Sequence, residues 1–306
     1  MKNWFNKNNM RKFYCITGLL FFTHVLVGQA LEKLTKLSLT ELDAYCSNSF
    51  ERPSTVIAQR LANALRYNEQ LLGFKPSVTL LVLSAADWGN YTSFPVYGMP
   101  HYTDTKTLVV AIEDNPFWQS FIPPLDQLPN ELADQIRKTY SKDGKLTMQP
   151  FFDLLAIHEL GHAFHTQCGL NMQRMWMGEL FCNIFLHTYV AEKEPEALPA
   201  LTVFPNMVVA AGAKEYTYTR LQDIEERYNE IGQQHAKNYG WFQCRWHAGA
   251  GKIYDAGGKA VTVKLWSALK EQKEKLDDDS LVTLLEQKTH KSLADLIRNW
   301  DSETKF

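Results

Sequence analysis

Apolar residues recur at helical spacing through most of this chain, and short continuous runs mark an early stretch between residues 78 and 112. Over residues 54–72 the apolar face is marked by Ile57, Leu61, Leu65 and Leu72. Ser54 is placed to cap this helix, and Gly73 with Pro76 ends it. Residues 78–83 and 107–112 are short runs rich in apolar and β-branched residues and read as strands. The stretch between them is dense in aromatics, Gly and Pro. An irregular strand is expected around 97–102, where Pro100 confines it to a sheet edge. Residues 31–50 are mixed and are expected to hold a short helix. Beyond Leu125 the helical period dominates, with segments near 130–140, 149–167, 172–193, 219–234, 239–254, 259–275 and 278–298. Gly144, Gly169, Gly240, Gly257 and Gly258 punctuate them. The last segment reads as two short amphipathic helices, begun by the acidic triplet at 277–279. The pattern predicts an α+β chain, with a small N-terminal α/β part over 31–125 and a larger helical part over 126–306.

Composition narrows the class. The 306 residues are 45% hydrophobic, enough for a sizeable core, and the formal net charge of −2 gives no electrostatic case for nucleic acid or an anionic membrane surface. Residues 1–30 read as a signal peptide. Lys2, Lys7, Arg11 and Lys12 are basic, 13–27 is apolar, and Gly28-Gln29-Ala30 offers small residues for cleavage. The expectation is an exported protein, periplasmic or secreted, with no membrane association after cleavage and no signal for its oligomeric state. Cys46, Cys168, Cys182 and Cys244 remain as disulfide partners or buried thiols.

The candidate chemistry lies in the helical segment at 149–167. His158, Glu159 and His162 form H-E-x-x-H. On a helix the two imidazoles sit one turn apart and can share a metal ion, while Glu159, rotated by about 100°, can act on a bound water. The surrounding run (Phe151, Phe152, Leu154, Leu155, Ile157, Leu160, Phe164) predicts burial, where such groups are costly unless paired or bound to metal. Two histidines need a third ligand. The metzincin continuation fails, because His165 and Cys168 occupy the places of its Gly and third His. His165 lies about 10 Å along the axis from His158, too far to share the ion, and reads as an outer polar residue. Glu179, on the helix that Asn171 is placed to cap, comes level with His162 if the two helices pack antiparallel.

With Glu179 in place, the chain resembles the gluzincin group of zinc metallopeptidases, to which the thermolysin-like enzymes belong. The resemblance rests on His158-Glu159-Leu160-Gly161-His162 and on Glu179 followed four residues later by Asn183. It implies a zincin-like fold, Zn2+ held by His158, His162 and Glu179, and Glu159 as general base in peptide hydrolysis. Thermolysin-like enzymes carry Asp where this chain has Asn183, whose amide oxygen is still able to accept from an imidazole N–H. The Gly-x-Met-Glu-Asn strand of the aminopeptidase branch is absent. An oxyanion donor is expected in the segment 238–247, with Tyr239 and His247 as catalytic candidates beside Arg245. The expected partner is a peptide or protein substrate, laid along the 97–102 edge strand. Two alternatives stand beside this reading: a zinc hydrolase of a non-peptide amide or ester, and a zinc-containing binding module without turnover.

Overall fold

The computed structural model describes residues 31–122 and 124–302; the expected signal peptide at 1–30 lies outside the described residues. The chain is α+β, with an N-terminal mixed five-stranded sheet followed by a largely helical C-terminal part.

Where a short helix was expected, two strands form instead: β1 (Thr35–Leu37) and β2 (Asp43–Cys46), paired antiparallel. Burial alternates along β2 and puts Ala44 and Cys46 in the core. Four residues are too few for that alternation to stand out in the sequence. Helix α1 (Glu51–Leu72) starts three residues before Ser54. Its N-cap, Phe50, makes no side-chain cap bond, and Pro53 falls in the first turn, where its missing N–H is harmless. Gly73 closes the helix in the left-handed conformation (φ 67°), with its N–H donating to the Glu69 carbonyl. Strand β3 (Thr79–Leu83) follows. Then comes a short helix that the sequence pattern did not indicate, α2 (Ala85–Tyr91), begun by Ser84 accepting from the Asp87 N–H. Strand β4 (His101–Tyr102) is the expected edge strand, reduced to two residues. It runs antiparallel to β5 (Thr107–Ala111). The order is β1-β2-β3-β5-β4, with β2, β3 and β5 parallel.

After the short helix α3 (Pro116–Gln119) come α4 (Asn130–Tyr140) and a small hairpin of β6 (Ser141–Lys142) and β7 (Lys145–Leu146). The remaining helices are α5 (Gln149–Cys168), α6 (Met175–Lys193), α7 (Leu198–Ala211), α8 (Leu221–Gln234), α9 (Ala236–Gly257), α10 (Lys259–Glu271), α11 (Asp278–Lys288) and α12 (Lys291–Arg298). Helix α7 is absent from the periodicity, because it is apolar on nearly all sides and contains Pro205. The Tyr140 hydroxyl repairs the turn before that proline: it accepts from the Phe204 N–H (3.1 Å) and donates to the Ala200 carbonyl (2.8 Å). Asn171 does not cap α6; Arg174 stands at the cap, and the Asn171 amide instead donates to the Lys273 carbonyl. The final helical segment divides into α11 and α12 as expected, with Asp277 accepting from the Ser280 N–H.

One hydrophobic core runs from the inner face of the sheet through α1, α5, α6, α7 and α9. Helix α5 lies within it, against α1 and β5 on one side and α6 on the other. The four cysteines among the described residues are all free thiols.

Candidate metal centre

Gly161 decides how closely α5 and α6 approach. A Cβ there would meet the Cys182 Sγ at 3.0 Å and the Cys182 Cα at 3.1 Å, so any larger residue would have to push the helices apart by a few tenths of an ångström. This contact brings the H-E-x-x-H turn of α5 level with Glu179 and Cys182, which lie three residues apart on one face of α6.

The imidazoles of His158 and His162 pack edge to face, their centroids 5.0 Å apart. Their Nε2 atoms stand 3.1 and 3.7 Å from the Glu179 Oε2. A buried group of His158, His162 and Cys182 could hold a metal ion, since their donor atoms lie within 4.8 Å of one another. Two imidazole nitrogens, a carboxylate oxygen and a thiol sulfur are donors of the kind that zinc takes. The His162 Nδ1 is held 3.0 Å from the His165 Nε2, so its other nitrogen is left to the site. The His158 Nδ1 is buried and makes no bond among the described residues, and the same is true of the Asn183 Oδ1. The bond expected between Asn183 and a ligand imidazole is therefore not made.

Asn183 acts elsewhere. Its Nδ2 donates to the Glu179 carbonyl (3.0 Å) and to the Gln243 Oε1 (3.2 Å). Gln243 in turn donates from Nε2 to the Glu179 Oε2 (2.7 Å) and to the Tyr239 hydroxyl (2.8 Å). Tyr228, on α8, donates to the Glu179 Oε1 (2.5 Å), and its oxygen lies 3.2 Å from that of Tyr239. Burial first, then Tyr239 and Glu179, drive the Tyr228 pKa far above the ordinary phenol value, so it keeps its proton and donates. Burial pushes the Glu179 carboxyl up, but His162 and His158 outweigh it and hold the pKa well below the usual carboxylate range. For His162, burial opposes protonation, yet Cys182 and Glu179 raise its pKa well above the usual imidazole value. Burial lifts the Cys182 thiol to about 11.

Glu159 lies close enough to His162, His158 and Glu179 for their charges to act on it. It is half-buried, and burial raises its pKa, partly offset by His162 and His158. Tyr239, Gln243 and His247 follow one another at four-residue intervals on α9, which packs on α6. His247 lies behind His158, its ring 6.3 Å from that of His158 and 5.5 Å from Phe151. Burial, followed by His158, keeps its pKa well below the ordinary value. Arg245 faces the other way: it lies 3.9 Å over the Trp300 ring and donates to the Trp300 carbonyl.

No protein-family model matches this chain, and a search of curated proteins finds none similar to it. The site therefore stands on its own geometry.

The last wall is the edge strand. His101 turns to the outer face of the sheet, 2.6 Å from the Thr92 hydroxyl and against Trp88 and Phe94. Alternation turns Tyr102 to the inner face, packed on the main core. The Tyr102 hydroxyl is buried and makes no bond among the described residues. Burial raises its pKa strongly, with Glu159 and Cys182 adding to the effect. Cys182, Tyr228, Gln243 and Tyr102 are the residues of this site that the sequence reading did not single out for it. Two of them had a local signal: Cys182 lies one turn from Glu179, and Gln243 one turn from Tyr239.

Proposed function

We propose that this protein is a zinc-dependent hydrolase, and specifically a metallopeptidase of the gluzincin kind acting on peptide or protein substrates. The observation that carries this reading is the convergence of His158 Nε2, His162 Nε2 and Glu179 Oε2, with Glu159 beside them and outside the donor set. His158, His162 and Glu179 would hold the ion. When bound, zinc supplies Lewis acidity to the scissile carbonyl and makes water more acidic.

The chain's own residues account for the rest. Glu159 takes a proton from the attacking water as its oxygen bonds to the carbonyl carbon. It then delivers that proton to the amine nitrogen as the C–N bond breaks. Its raised pKa suits a group that must both accept and return a proton near neutral pH. The free side of β4 offers main-chain groups along which an extended peptide can lie.

A second reading has one observation behind it. Cys182 belongs to the donor group, and four protein ligands would make a closed zinc site without turnover. The experiment that separates the two loads the protein with one equivalent of zinc and follows a mixed peptide library by mass spectrometry. Cleavage by the wild type is expected to fall by roughly 10²–10⁴-fold in Glu159→Gln with zinc retained. A zinc-loaded wild type that cleaves no peptide contradicts the peptidase reading.

A further inference from the structure

The bonds around Glu179 form a closed ring in which every proton has one acceptor. Tyr228 gives its proton to the Glu179 Oε1, and the two protons of the Gln243 amide go to the Glu179 Oε2 and the Tyr239 oxygen. The contact between the two phenols then has one direction left, from Tyr239 to Tyr228. The amide orientation of Gln243 is not free. Turned over, it would set its oxygen against the carboxylate and its NH2 against the Asn183 NH2. The three side chains come from α8 and α9, two helices that pack on α6 and carry no proposed ligand of their own.

We propose that Tyr228 and Gln243, with Tyr239 behind them, are positioning residues that hold Glu179 as a one-oxygen metal ligand. Tyr228 occupies Oε1, and the second lone pair of Oε2 is left facing His158 and His162. This inference rests on the ligand role of Glu179 proposed above. It also reassigns Tyr239. Its hydroxyl proton is committed to Tyr228, so it serves the ligand and not the oxyanion role expected from the sequence. Asn183 joins the same arrangement as donor to the Gln243 Oε1, a bond that the Asp of thermolysin-like enzymes could not make.

The test is zinc affinity, measured by competition with a chromophoric chelator, in Glu179→Ala, Tyr228→Phe, Gln243→Leu and Tyr239→Phe. Tyr228→Phe and Gln243→Leu are expected to weaken zinc binding by about 10–100-fold. Tyr239→Phe, one bond further from the ligand, is expected to weaken it by less. The ligand-field spectrum of the cobalt-substituted protein is expected to shift in Tyr228→Phe and Gln243→Leu. A merely structural role would lower the melting temperature of the metal-free protein and leave that spectrum unchanged. Tyr228→Phe is nearly isosteric and keeps the helix packing, so the test does not depend on Gln243→Leu folding. If Glu179→Ala loses zinc while Tyr228→Phe and Gln243→Leu bind it with wild-type affinity and spectrum, this inference is overturned alone. Wild-type affinity in Glu179→Ala overturns the ligand reading and the inference with it.

Discussion

Two carboxylates on adjoining helices, one half-buried and one buried, end on opposite sides of the usual range. Asp153, on the first half of α5, accepts one bond from the Gln149 amide (2.5 Å), and burial raises its pKa to about 6 against distant help from Arg60 and Lys142. Glu179, on α6, is more deeply buried, yet His162 and His158 keep it well below 4.5. Loss of solvent pushes the pKa of both up, so burial alone does not mark a functional group. The difference lies in convergence. Glu179 receives bonds from two other helices and faces two imidazoles of a third, whereas Asp153 has one neutral donor from its own helix. The buried carboxylate that stays ionised is the one around which other elements are built.

That contrast can be broken in three places. The largest effect is expected from Gly161→Ala. The added methyl meets the Cys182 backbone as well as its sulfur, and backbone cannot turn aside. Separating α5 from α6 is expected to cost about 3 kcal/mol of stability in urea denaturation, and zinc affinity should fall with it because Glu179 moves off the two imidazoles. Next is Asn183→Asp, which removes the donors to the Gln243 Oε1 and the Glu179 carbonyl and adds a negative charge beside Glu179. At roughly 1 kcal/mol per bond lost, a destabilisation of about 2 kcal/mol is expected in the metal-free protein. An unchanged urea midpoint would show that the ring does not depend on Asn183.

The smallest effect is expected on the other carboxylate. A raised folded-state pKa means that Asp153 favours the fold when protonated, an advantage complete below about pH 4 and lost as pH rises through about 6. Asp153→Asn keeps an acceptor for Gln149 and removes the charge. It should raise stability by about 1 kcal/mol at pH 8, after allowance for the solvent that reaches this group, and by nothing at pH 4. A gain of the same size at both pH values would contradict the comparison. Loss of stability at pH 8 would mean that the Asp153 charge has a partner as good as those of Glu179.

The sequence made much of this visible where information is local. H-E-x-x-H fixed the spacing of His158, Glu159 and His162, and helical period located α5 and α6 closely enough to bring Glu179 level with them. Pro100 marked β4 as an edge. What was not visible depends on distant segments. Strand β2 exists because β3 offers a partner and β1 because β2 does, and α7 is helical although it has no polar stripe to reveal a period. Tyr228 lies on an amphipathic helix, and nothing within its own turn of sequence marks it for Glu179. In the sequence Cys182 is one of four possible disulfide partners, whereas its place beside His162 depends on Gly161 letting two helices touch.

The central claim is that Glu179, and not Cys182, completes the metal site. The most direct measurement is the zinc dissociation constant of Glu179→Ala set against that of Cys182→Ser, by chelator competition at one pH. Glu179→Ala is expected to weaken binding by more than about 100-fold, beyond what the loss of an outer partner produces, while Cys182→Ser stays within a few-fold of wild type. The reverse order would contradict the account and make this a histidine–cysteine site in which Glu179 has no ligand role.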